Sequence, residues 1–537
     1  MAIFPGSEPL RYLIPFRDPQ ETIDYLRKAG QQHPRAVVVF GDDGEKFGTW
    51  PGTKKHCYAD GWLRRLFDAL TANRDWLQMT TLAEAADHVP PAGRIYLPDA
   101  SYREMTEWAL PVSQQRAYEE AVHALEPDPR WPRIKPFVRG GYWRNFKVKY
   151  PEANEMYSRM IMVSRRLQQA EQNGLEGDDV YWARRELYRG QCNCAYWHGA
   201  FGGIYLPHLR NAVFNHLIAA DNLLDRANEL GGPHVEVNVE DYNFDALQEV
   251  RLSNDKLVVL LAPAVGGQIY ELDVRAICHN LLATLTRRPE AYHRKVLAGP
   301  AQQGDRCASI NDQVVCKQEG LEQRLQYDPY PRKSLLDHFF DNEATLEAVS
   351  SGRAMERGDF AAGQYEARLR RNPDRIQVQL VKQGNAWGIP LRLTKGVTAE
   401  AGGGSLKIAY LIEGLPPDAL LHFAVEFNFA GMPAGADDRF FYQDDPSRRL
   451  GQLGLKLDLR EVPGLGLVDE WLGLNVHLSA NRPSGFWTFP IETVSQSESG
   501  VELVHQSVVV QPHWLVRGSP DGRWSVTLDL ALDTSLA

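Results

Sequence analysis

"RAVVVFGDDGEKFGTW", residues 35–50, sets a run of β-branched residues directly against a loop holding two aspartates, a glutamate, a lysine and three glycines. The apolar run reads as a fully buried strand. Helices are expected on both sides of it. "DPQETIDYLRKAG", 18–30, carries Asp18 as N-cap, Pro19 at the first helical position, Glu21 to complete a capping box and Gly30 as a stop. "ADGWLRRLFDALTAN", 59–73, is the next helix, followed by "LQMTTL" (77–82) as a strand, "LAEAADHV" (82–89) as a short helix and "RIYLP" (94–98) as another strand. Strands alternating with helices predict an α/β segment with a parallel sheet.

In such a sheet the functional groups collect at the carboxyl ends of the strands, where loops leave the core. The loop "GDDGEKFG" sits at such an end, so its glycines can turn tightly while Asp42, Asp43 and Glu45 face a cleft. Asp-Asp-Gly is equally good turn chemistry, and spacing alone leaves both readings open. Clustered acids next to Trp50 suit a sugar site, where carboxylates act as acid, base or nucleophile and an aromatic ring stacks on a pyranose.

From about 113 to 230 the pattern becomes helical, with "ANEMYSRMIMVSRRLQQAEQNG", "DVYWARRELYRGQ" and "PHLRNAVFNHLIAADNLLDRAN" as long amphipathic candidates. After "GGPH", ending at His234, alternating stretches such as "HVEVNVEDY", "LHFAVEFNFAG" and "SVVVQPHWLVR" predict a large antiparallel β region to the C-terminus. One helical stretch is expected within it near 273–293, and a polar loop at 294–325. The domains expected are therefore 1–112, 113–230 and 231–537.

Two further stretches could carry chemistry. In "GQCNCAYWHGAFGGIYLPHLR", 190–210, Asn193, Tyr196, Trp197 and His198 precede a double glycine and Pro207, which opens a helix. A helix–loop–helix packing joint with His198 as a satisfied core residue is the competing reading. In "YLPDASYREMTEWALP", 96–111, Tyr102, Glu104 and Glu107 could line the same cleft or belong to a solvated helix start.

The whole chain sets bounds on these readings. It has 537 residues, 43% of them hydrophobic and 24% charged, which is the composition of an ordinary globular protein of two or three domains. Thirteen Trp and 21 Tyr supply flat amphipathic surface for stacking. A formal charge of -10 with no basic stripe argues against a nucleic-acid partner. No apolar stretch approaches the roughly 18–20 residues needed to span a bilayer, and "MAIFPGSEPLRYLIPF" lacks a basic n-region and an h-region, so no membrane partner and a cytoplasmic location are expected. The six cysteines are sparse, and Cys192 and Cys194 form C-x-C rather than the paired C-x-x-C of a zinc site, so reduced thiols and no bound metal are expected.

Taken together, these stretches resemble glycoside hydrolase family 57, in its 4-α-glucanotransferase and α-amylase-like branch. "GGYWRNFKVKYPEANEMYSRMIMVS" is similar to that branch's central helical domain and "YDPYPRKSLLDHFFD" to its C-terminal domain. The resemblance implies multidomain α/β plus all-β architecture. Residues 1–112 would be the C-terminal half of an incomplete (β/α)7 barrel, 113–230 a helical bundle and 231–537 a mutarotase-like antiparallel β-sandwich. It implies a retaining enzyme without cofactor acting on α-1,4-glucan or maltooligosaccharide. Asp43 matches the family's general acid/base in D-G-E-K-F-G; Asp42, Glu45, Trp50, Tyr196, Trp197 and His198 fall at or beside substrate-binding positions. Cys194 stands where the family has Asp, and a thiol does not replace a carboxylate's hydrogen bonds to sugar hydroxyls.

The family's nucleophile is a Glu on an earlier barrel strand, preceded by an H-Q-P motif. No segment before Asp43 matches either, since "QQHPR" (31–35) lies on the wrong side of a helix. The expectation is a chain beginning within the barrel and inactive by itself. The explanations open are a late start or truncated reading frame, a split enzyme whose separate chain supplies the missing strands and the nucleophile, and a non-catalytic glucan-binding protein. A mutarotase-like epimerase is a weaker alternative, because no clear His and Glu pair presents itself in 234–537.

Overall fold

Asp18 caps the helix Pro19–Gln32 by accepting a hydrogen bond from the Gln20 N–H at 2.9 Å. This is an Asx turn onto Gln20 rather than the box expected from Glu21, and the helix runs two residues beyond Gly30. A glycine inside a helix costs only about 1 kcal/mol relative to Ala, which the burial of Thr22 and Ile23 outweighs. The computed structural model describes residues 2–33, 35–97, 103–199, 202–298, 316–497 and 500–535; Tyr102 and Pro98 lie outside them. Among the described residues no helix is long and apolar enough to cross a membrane.

The amino-terminal segment corrects the strand readings. Val37 and Phe40 are 38% and 39% exposed, and the run 35–40 makes one ladder contact among the described residues, the parallel bridge Gly6↔Val39. Instead of being buried, the run borders an open apolar groove of about 1180 Å³ between the helices Pro19–Gln32, Trp62–Ala72 and Leu82–His88. Among the described residues no strand extends that single bridge into a ladder, so β-propensity alone does not make a sheet. The stretch 77–82 likewise forms no strand: Met79 is exposed, and Thr81 caps the helix Leu82–His88 in a capping box with Glu84. Ile95 and Tyr96 are also exposed and unpaired in any sheet.

The helices Pro151–Gln172, Asp178–Gly190 and Pro207–Ala227 pack around one core. Their buried residues recur every three or four positions, as in Val163, Leu167 and Ala170 against Val180, Ala183 and Leu187, and against Val213, Leu217, Ala220 and Leu224. Those are the faces that the amphipathic patterns require.

Among the described residues the β region has two antiparallel sheets. The first takes Val235–Glu240, Glu249–Asn254, Leu257–Ala262, Gln268–Val274 and His279–Asn280 in chain order. This replaces the helix expected near 273–293: the segment holds a single 3-10 turn, Arg275–Ile277, and a two-residue strand, with a short helix only at His293–Ala298. Its apolar residues Leu281, Leu282 and Leu285 fill cores already present, which imitates helical periodicity in the sequence.

The second sheet has twelve strands. Its longest strand, Leu474–Ser497, pairs with Arg523–Asp533 over Asn475–Ala480 and with Gly500–Val516 over Gly485–Ser497, so it passes between two neighbours and turns the sheet. Buried residues of both sheets, including Leu252, Val259, Val378, Leu380 and Leu393, form one core.

Buried polar groups join the helical and β parts. Glu290 accepts from the Tyr150 and Tyr205 hydroxyls at 2.6 and 2.7 Å, with Lys149 at 3.5 Å. Arg210 donates to Gln506 at 2.7 Å, and Gln506 donates back to the Tyr205 carbonyl. Glu290 and Arg210 are thus hydrogen-bonded across the junction, as buried polar groups must be.

Candidate active site

The loop after the apolar run closes as a 3-10 turn, Gly44–Phe47, with Asp43 at its N-cap position. Its two aspartates have opposite fates. The Asp42 side chain is 1% exposed and bound by the Lys46 ammonium, with Arg11 Nε at 3.8 Å. Asp43 keeps its side chain 43% exposed, with Arg11 Nη2 at 3.9 Å. Partial burial and then the Asp42 charge push the Asp43 carboxyl above the usual aspartate range, against the opposing pull of Arg11 and Lys46. A carboxyl that holds its proton more tightly while remaining accessible has the property needed of a general acid.

Lys46 was not singled out in the sequence, although its i,i+4 spacing from Asp42 was visible there. It is 3% exposed, donates to the Arg11 carbonyl at 2.9 Å and lies 5.6 and 5.4 Å from the Phe16 and Trp50 rings. Trp50 is itself buried, stacked on Phe16 with centroids 5.9 Å apart. It supports the turn from beneath. Arg11 lies some thirty residues earlier, on the helix Glu8–Leu13, and no local pattern linked it to the aspartates. Tyr12 beside it donates to Glu104.

The second loop meets this turn. Phe16 and Trp108 pack on Trp50, and a Cβ on Gly199 would lie 2.1 Å from the Trp108 ring, so the chain passes Trp108 closely. Glu45 is exposed and close to Cys194: burial, then Cys192, then the Glu45 charge push the Cys194 thiol up. Cys192 and Cys194 are free thiols and both are exposed.

The remaining residues face inward. Tyr196 is buried and donates to the Gly190 carbonyl at 2.8 Å. Trp197, half-buried, packs against Phe146 and Trp143 with centroids at 4.5 and 5.1 Å. His198 is 3% exposed; its Nδ1 lies 2.9 Å from the Gly202 carbonyl and its Nε2 3.0 Å from the Tyr292 hydroxyl. Burial lowers its pKa to about 4, which keeps the ring neutral at pH 7. His198 also borders a cavity of about 180 Å³ together with Trp108, Glu107 and Glu290. Burial, followed by the Glu119 charge, raises the Glu107 carboxyl.

The structure thus brings Asp43, Glu45 and the 192–199 loop to one place, with Asp42, Trp50, Tyr196 and His198 beneath as packed supports. The carboxylates that act most on Asp43, Asp42 and Glu45, both belong to its own turn. Among the described residues no group of three or more His, Cys, Asp or Glu side chains is disposed to hold a metal ion.

Known proteins match along the whole length. Residues 1–98 match glycosyl hydrolase family 57, residues 141–224 the middle domain of α-amylase/4-α-glucanotransferase, and residues 241–528 the C-terminal domain of the same proteins. The chain is 36% identical to a 4-α-glucanotransferase of Thermococcus kodakarensis, over 95% of this chain and 71% of that protein. It is 33% identical to α-amylase 1 of Dictyoglomus thermophilum, over 98% of this chain and 74% of that protein. The crystal structure of the 4-α-glucanotransferase from Thermococcus litoralis superposes with a TM-score of 0.77 at 32% identity, covering 98% of this chain and 72% of that one. With a partial family 57 segment, a helical middle domain and an antiparallel β domain in that order, the chain belongs to the 4-α-glucanotransferase/α-amylase family of glycoside hydrolase family 57.

Proposed function

We propose that the protein processes α-1,4-glucans such as maltooligosaccharides by a retaining mechanism in which Asp43 is the general acid/base. Asp43 would protonate the glycosidic oxygen as the bond to the leaving sugar breaks, then remove the proton from an incoming hydroxyl. A sugar acceptor gives transfer and water gives hydrolysis. The observation that carries this reading is the separation of two adjacent aspartates, Asp42 neutralised by Lys46 and Asp43 accessible with its proton held more tightly. Glu45 and Trp197 are the expected contacts to substrate from the two loops.

A retaining displacement also needs a carboxylate about 5–5.5 Å from the acid, across the anomeric carbon. Asp42 and Glu45 share a turn with Asp43, so neither flanks a sugar placed against it. In this reading neither carboxylate of Asp43's own turn serves as nucleophile, and the 537-residue polypeptide by itself binds glucan without turning it over. The placement of both Asp42 and Glu45 on Asp43's own turn also favours the second reading, a non-catalytic glucan-binding protein.

Calorimetric titration with maltotriose tests the substrate class. Binding that weakens in Glu45→Ala and Trp197→Ala supports the proposed site; maltotriose binding indifferent to both changes, or no binding, contradicts it.

A further inference from the structure

A cavity of about 310 Å³ lies where the helix Pro151–Gln172 crosses the edge strand Val235–Glu240, and it shares no residue with the Asp43 loop or the 190–203 loop. This volume is at the lower end of the roughly 300–1,000 Å³ of small-molecule sites. Strand alternation builds one wall. Val237 is buried in the core while Glu236, Asn238 and Glu240 point the other way, three hydrogen-bonding side chains spaced roughly 6.8 Å apart along the strand.

An aromatic group stands over this row. Phe244 is 43% exposed, in left-handed backbone at φ 62, and the Arg165 guanidinium lies 5.1 Å from its ring. The turn that presents it is set in advance: Asp241 accepts from the backbone N–H groups of Asp245 and Ala246 at 3.1 and 3.0 Å, and Glu249 accepts from those of Tyr242 and Asn243.

Charge selects the ligand. Arg166 is committed to Asp221 and Asp225, and Arg251 lies 3.6 Å from Asp221. Asp241 is committed to its own turn, so against the cavity the carboxylates of Glu236 and Glu240 face the Arg165 guanidinium and the His234 imidazole. These carboxylates repel phosphate and carboxylate ligands. Ionised carboxylates only accept hydrogen bonds, so an apolar ligand offers them no donor in place of the water it displaces. An ammonium ligand would satisfy them but would face Arg165. Hydroxyl groups donate to the carboxylates, accept from Arg165 and Asn238, and leave the C–H face of a ring for Phe244.

We infer that this cavity is a second carbohydrate site that holds a glucosyl unit away from the Asp43 loop. The choice of glucose among sugars rests on the function proposed above. Such a site gives a long glucan a second hold on the chain, which raises its effective concentration at the first.

The test is maltotriose calorimetry on the 537-residue protein, its Phe244→Ala/Asn238→Ala variant, Glu240→Gln, which preserves shape, and Trp197→Ala. The inference expects two sites in the unmodified protein, loss of one in the double variant with an unchanged melting temperature, and at least threefold weaker binding at that site in Glu240→Gln. Trp197→Ala should leave this site intact. Binding at the Phe244 site without any effect of Trp197→Ala would sustain this inference while removing the reading of the 190–203 loop. Identical titrations for the unmodified, double and Glu240→Gln proteins, or no maltotriose binding at all, would overturn it.

Discussion

The Lys46 ammonium holds the Asp42 carboxylate from four residues along the same turn, and both groups are almost wholly buried. This pairing ties up one of two adjacent aspartates and leaves the other partly exposed.

Lys46→Met keeps the length of the side chain but leaves Asp42 as a buried acid with the Asp43 N–H at 2.9 Å and the Arg11 guanidinium at 3.8 Å. Removing one member of a buried pair costs about 3–5 kcal/mol. Denaturant unfolding followed by tryptophan fluorescence should show a loss of that order for the amino-terminal segment; a change below about 0.5 kcal/mol, the ordinary surface value, would contradict the pairing.

Asp43→Asn should behave in the opposite sense. The folded-state pKa of Asp43 is raised above 3.8, so its contribution to stability is complete below that pH and is lost as pH rises through the raised value. Asparagine never ionises and escapes that loss. The variant and the unmodified protein should therefore melt together below pH 3.8, with the variant higher by roughly a degree at pH 7, the scale expected for a partly exposed group. A variant that melts lower at pH 7 contradicts the raised carboxyl.

Gly203 sits at φ 52 with the Trp197 carbonyl against it, so an added Cβ would be 1.8 Å from that oxygen. The same carbonyl accepts from the Ile204 N–H at 2.7 Å, closing the loop that carries Trp197 and His198. Gly203→Ala must therefore displace the loop rather than a flexible side chain. The expected result is destabilisation by about 3 kcal/mol or more and at least tenfold weaker maltotriose binding; near-normal binding and stability would contradict the placement of this loop.

The long elements were legible in the sequence because each repeats one signal many times. The helices Pro151–Gln172, Asp178–Gly190 and Pro207–Ala227 and the strand Leu421–Ala430 fall where periodicity and punctuation put them, while the strand read at 507–517 begins earlier, at Gly500. The failures have a common cause, which is that a short apolar run does not say what will cover it. Residues 35–40 have strand composition but among the described residues make one bridge, to Gly6, and 273–293 supplies isolated residues to two cores without forming a helix. At the site, the motif located Asp43 and its neighbours. Which aspartate would be neutralised depended on Lys46 folding inward and on Arg11 arriving from a distant helix, and only three-dimensional packing shows that.

On the proposed reading Asp43 is a general acid that works with a nucleophile other than the carboxylates of its own turn, and azide rescue probes this. A small external anion can occupy the place of that nucleophile and attack the anomeric carbon from the face opposite the leaving sugar, while Asp43 protonates the departing oxygen. Maltotriose incubated with the purified polypeptide should remain intact without azide; with azide it should yield a β-glycosyl azide and the shortened sugar, a reaction lost in Asp43→Asn. Disproportionation of maltotriose by the polypeptide without azide, or azide-dependent cleavage that survives Asp43→Asn, would contradict the account.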